Sequence, residues 1–144
     1  MPMKPFHPVA IGALGLLLSF LGPKGQVLAQ DGLLSKIQGA WLGTGMSCQE
    51  VYAKGTKGIA FRKPLSIFAP AFIVSGRVLR TPLATCRIAA IKPSGDRQVL
   101  LLGCANSVST SDLNATISLA SDGTLRRYFN DDDSTGSVYE RCTP

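Results

Sequence analysis

The sequence predicts an all-β protein: a single small antiparallel meander barrel of about eight strands, braced by disulfides, with one short helix near its N-terminus. Three observations carry that expectation. After residue 30 the apolar residues come in short continuous or alternating runs separated by turn residues, and no sustained 3.6-residue period is present. All four cysteines, Cys48, Cys86, Cys104 and Cys142, fall in that same stretch, an even number in a short chain. Ahead of them lies a basic and then apolar leader, which sends the thiols to an oxidising compartment.

The leader, residues 1–29, reads as a signal peptide. Met1 to Pro8 carries Lys4 and His7 and no acid, and Val9 to Leu21 is apolar except for Ser19. Val27 and Ala29 then place small residues at the −3 and −1 positions of a cleavage site. A membrane span needs about 20 apolar residues, so this run is too short to remain as one. Residues 30–144 are therefore expected as one β-barrel-like domain, periplasmic or secreted, with no integral membrane segment. Cleavage removes Lys4 and Lys24 and none of the 9 acids, which takes the net charge from +6 to +4. The remaining basic residues are scattered, which points to a solvated surface rather than to nucleic acid.

Along the mature chain the first strand is expected at Gly39–Thr44. A short helix follows at Ser47–Ala53, where Ser47 and Glu50 have capping-box spacing. Apolar runs between turn residues then place strands at Ile59–Lys63, Ala71–Ser75 and Val78–Thr81, the last two joined by a tight turn with Gly76 at positive φ. Cys86–Lys92 and Gln98–Cys104 are nearly symmetric about Gly95, so an antiparallel hairpin opposes Cys86 to Cys104, Ile88 to Leu102 and Ala90 to Leu100. In Leu113–Leu119 the polar Asn114, Thr116 and Ser118 alternate with apolar residues. The loop Ser121-Asp122-Gly123 joins that strand to Thr124–Phe129 and pairs Leu119 with Leu125, Ile117 with Arg127 and Ala115 with Phe129. Ser137–Cys142 is the last strand. Trp41, Phe61, Phe72 and Phe129 are the expected large core residues.

The cysteines read as two disulfides. Directly opposed Cys86 and Cys104 lie within disulfide reach, leaving Cys48 and Cys142 to join the ends of the domain. The alternative, 48–86 with 104–142, stays open because spacing does not decide pairing. No close-spaced cysteine pair starts a zinc site, and the one histidine, His7, leaves with the leader. "LLGC" at Leu101–Cys104 lies too deep in the chain to be a lipidation signal.

Together "IQGAWLGTGMSCQEVY", "FAPAFIVSGR", "CRI…PSGDR…LLGC", "DGTLRRYFND" and "GSVYERC" resemble an uncharacterised family of small exported bacterial β-rich proteins, over most of residues 37–142. The plan of a G-x-W start, an early cysteine, a β meander and a terminal cysteine is also similar in architecture to periplasmic barrel inhibitors of lysozymes and metalloproteases. No inhibitory loop is matched, so the resemblance assigns no residue a role.

Catalytic groups are sparse. A mature chain without histidine excludes Ser-His-Asp and Cys-His catalysis, and paired cysteines leave no thiol nucleophile. No phosphate-binding glycine loop is present. "DDDSTG" puts Asp131, Asp133, Thr135 and Gly136 at the first, third, fifth and sixth places of an EF-hand-like loop. Cys142 would stand where a bidentate Glu is required, so the segment reads as a solvated hairpin turn. No metal, cofactor or enzymatic activity is expected. Arg127 stands out, since the hairpin register turns it to the core side. If Phe129 pairs with Val138, Arg127 comes opposite Glu140, and the two form an ion pair near one barrel end. The expected function is binding of a protein or other macromolecule in the cell envelope, in the manner of an inhibitor. The alternative is a small-ligand barrel with an interior site near Arg127. A cavity of roughly 300 Å³ or more favours the small ligand, and a side-chain-filled barrel favours the surface.

Overall fold

A computed structural model describes residues 32–143 of the chain; the signal peptide expected at 1–29 lies outside the described residues. Eight strands close into an antiparallel barrel in the order β1 (Gly39–Gly43), β10 (Ser137–Cys142), β9 (Leu125–Tyr128), β8 (Thr110–Leu119), β7 (Arg97–Ala105), β6 (Thr85–Ser94), β5 (Val78–Arg80) and β4 (Ala71–Ser75). From β4 to β10 the chain is a simple meander. β1 pairs with both β10 and β4, so the barrel has no free edge. No helix among the described residues is long and apolar enough to cross a membrane.

Between β1 and β4 the chain leaves the barrel. It forms the short helix α1 (Cys48–Val51) and the hairpin of β2 (Tyr52–Gly55) with β3 (Gly58–Phe61), and this excursion packs on the outer face of β1 and β4. β1 is therefore covered on both faces, which explains why Ala40, Trp41 and Leu42 are all buried in succession. The helix is shorter than the sequence predicts. The amide and hydroxyl of Ser47 both donate to the Glu50 carboxylate, at 2.7 and 2.8 Å. Yet Tyr52, expected in the helix, begins a strand. Its hydroxyl donates to the main-chain carbonyl of Trp41 at 2.5 Å and also reaches that of Phe72 at 3.1 Å. That tertiary anchor outweighs the weak local preference for one more helical turn. Burial raises the Tyr52 phenol well above its ordinary pKa, so it stays a neutral donor.

Inside the barrel, alternation along each strand supplies Trp41, Val74, Ile88, Leu100, Ile117 and Leu125, all nearly inaccessible. The β6–β7 hairpin opposes Cys86 to Cys104 and Ile88 to Leu102 as expected. Ala90 meets Leu101 rather than Leu100, because a β-bulge between Ile88 and Ala90 shifts the register. The extra residue lets Ile88 and Ile91, three apart, both point inward, at 0% and 1% exposure. Both expected disulfides are present, Cys86–Cys104 and Cys48–Cys142.

The two barrel ends differ. One is closed by the segment before β1. Residues 32–36 form a helical turn that no sequence periodicity announced, with Leu33 and Leu34 packed on the core and Ile37 buried. Trp41 Nε1 donates to the Ile37 carbonyl at 2.8 Å. At the other end the strands run out into the loops 62–70, 81–84, 106–109 and 129–136.

Candidate functional site: the open end of the barrel

A cavity of about 410 Å³ opens at this second end. Its lining is mostly apolar: Ile37, Leu100, Leu102, Ile117 and Leu125 contribute to it, and so does the buried Cys86. Apart from tyrosine, no polar or charged residue is buried among the described residues. The groups that can address a polar ligand therefore stand at the mouth, where Arg127, Asn114, Thr81 and Tyr139 line the opening.

Arg127 reaches the mouth through the β8–β9 hairpin. Leu119 pairs with Leu125 and Ile117 with Arg127, as the sequence predicts, and Gly123 has the positive φ the turn requires, at 86°. Because Ile117 faces the core, so does Arg127. The ion pair with Glu140 does not form. Ser137, not Glu140, stands opposite Arg127, and Glu140 pairs with Leu42 of β1. Tyr139 points inward, so its neighbour Glu140 points outward, on the opposite face of the sheet from Arg127.

The physical reason is the long β9–β10 loop. The Asp133 carboxylate accepts from the amides of Phe129 (3.0 Å), Thr135 (3.1 Å) and Gly136 (2.9 Å), gathering the loop around itself. Arg97 donates to the Asp133 carbonyl at 2.7 Å and lies over the Tyr128 ring. The loop therefore begins at Phe129, whose expected pairing with Ala115 is lost. Phe129 is 88% exposed, a correction to its expected place in the core. Trp41 is buried as expected, while Phe61 and Phe72 are half-buried at the margins of the two cores. The same amide bonds hold the Asp133 carboxyl down to a pKa of about 2. No group of three or more metal-ligating side chains occurs among the described residues.

Two inward-facing arginines mark the two ends. Arg141 stands opposite Trp41 at the closed end, where it lies over the indole and donates to the carbonyls of Lys36 and Gln38. Arg127 at the open end makes no hydrogen bond or ion pair among the described residues. Tyr139 repeats the contrast. Tyr52 and Tyr128 use their hydroxyls, the latter with Ser118 at 2.9 Å, while the Tyr139 hydroxyl has no hydrogen-bond partner among the described residues. Every buried side-chain polar atom among the described residues is partnered, so this hydroxyl opens onto the cavity. Sequence reasoning singled out Arg127 but passed over Tyr139 and Arg141. Their strand and alternation were legible, yet facing depended on the register across the long loop.

No family model, curated protein or solved structure matches the chain.

Proposed function

We propose that the protein binds a small, largely apolar molecule in the open end of its barrel. The observation that carries this reading is the cavity itself. Its volume, about 410 Å³, falls within the range of about 300–1,000 Å³ typical of small-molecule sites. An apolar floor with a few polar groups at the lip is the usual composition of such a site. The neutral dye N-phenyl-1-naphthylamine should bind saturably with enhanced, blue-shifted emission. Ala115 is half-buried and lines the cavity, so Ala115→Phe should fill the space and weaken dye binding about tenfold or more. Dye binding that does not saturate, or that Ala115→Phe leaves unchanged in a folded protein, would overturn this reading.

A second observation favours binding of a macromolecule of the cell envelope. Ile67, Phe68, Leu83, Val108 and Phe129 are exposed large hydrophobics on the loops of the open end, and Leu113 is exposed on β8, whereas Val78 is exposed apart from them on β5. Exposed apolar surface gathered on one side is a feature of interaction sites. Under this reading, Val108→Ser combined with Phe129→Ser, neither of which lines the cavity, should abolish capture of an envelope component while leaving dye binding intact.

A further inference from the structure

We infer that the ligand of this cavity is an amphipathic anion, a monocarboxylic acid with a compact apolar body, held by its head at Arg127 and Tyr139. The inference rests on the cavity reading above and adds the ligand's charge and orientation. The Arg127 guanidinium, exposed at the lip of an apolar cavity, has no counter-ion among the described residues, while its counterpart at the closed end is engaged by carbonyls and an indole. An unpaired cation beside apolar surface gains most from an anion that brings its own apolar body. The second donor is in place. Arg127 pairs with Ser137 and Leu125 with Tyr139, so Arg127 and Tyr139 are diagonal neighbours on the inner face of β9 and β10. Diagonal positions lie about 7–8 Å apart, a gap that a long arginine and a phenol can close around one carboxylate. Tyr139, only 7% exposed, supplies a hydroxyl with no hydrogen-bond partner among the described residues.

Orientation follows from the absence of other polar partners inside. A head placed among Ile37, Leu100 and Leu102 would find no donor, so the acid must stay beside Arg127 and the body must point into the apolar lining. The volume sets the size: at roughly 30 Å³ per liquid-packed heavy atom, the cavity takes on the order of a dozen such atoms. That suits a ten-carbon chain or a two-ring aromatic acid.

The test is dye displacement from the intact protein by decanoate, 1-decanol and decylamine, each below its aggregation limit. Decanoate should bind at least about tenfold more tightly than the other two, since the bidentate ion pair with the guanidinium is lost with either. Arg127→Met should erase that preference without weakening decanol, Arg127→Lys should restore part of it, and Tyr139→Phe should reduce it by a few-fold. Thermal melts of each variant separate loss of binding from loss of fold. Equal affinity for decanoate and decanol, or a preference that survives Arg127→Met, would overturn the anion assignment while dye binding sensitive to Ala115→Phe left the cavity reading standing. If the dye fails to bind, both fall together.

Discussion

At the scale of single residues, Asp133 and Glu140 show how position decides the worth of a charge. Asp133 is held ionised by amides, so its folded-state pKa lies below the ordinary value of 3.8, at about 2. A depressed carboxylate pKa means that the contribution to stability is fully present above about pH 4 and disappears as pH falls through about 2. A side-chain NMR titration of Asp133 should show a midpoint near 2, with faster amide exchange at Gly136 as the carboxyl protonates. A midpoint at the unperturbed 3.8 would mean that the loop is not organised by this group. Glu140 is the opposite case. It is exposed and stands on the far face of the sheet from Arg127, so Glu140→Gln should change stability by no more than about 0.5 kcal/mol. A double-mutant cycle with Arg127→Met should show no coupling, because the two side chains share no contact.

At the scale of elements, legibility follows the length of the connection. Hairpins closed by two or three residues around Gly76, Gly95 and Gly123 were readable, because each glycine has the positive φ that fixes register locally. The β9–β10 hairpin was not, since Asp133 sets its loop through bonds that no alternation pattern encodes. Helix α1 stopped early for a related reason, the distant carbonyls that hold the Tyr52 hydroxyl. The bulge in β6 was equally invisible, and it yields a sharp prediction. Deleting Ala89 should restore plain alternation while keeping both Ile88 and Ile91 inward, at a cost below about 2 kcal/mol in thermal or denaturant unfolding. Deleting Val99 from the partner strand should unfold the protein, because every inward residue of β7 on one side of the cut would change face. Similar outcomes for the two deletions would show that the bulge does not set the register.

At the scale of the whole molecule, closure depends on the seam where β1 meets β10, beside which Cys48 is bonded to Cys142 across 94 residues. Replacing both cysteines with serine should cost about 2–5 kcal/mol, measured by denaturant unfolding. Part of the seam should survive this loss, since Trp41, Ile37 and Arg141 also hold it beside the disulfide. The Cys48–Cys142 bond also turns most of the chain into a covalent loop. A protease that cuts once at an exposed tip, such as that bearing Val108, leaves two pieces still joined, and the meander remains hydrogen-bonded across the nick. Nicked protein should therefore run as one band without reductant and as two with it. A first cut in this chain need not be a fatal one.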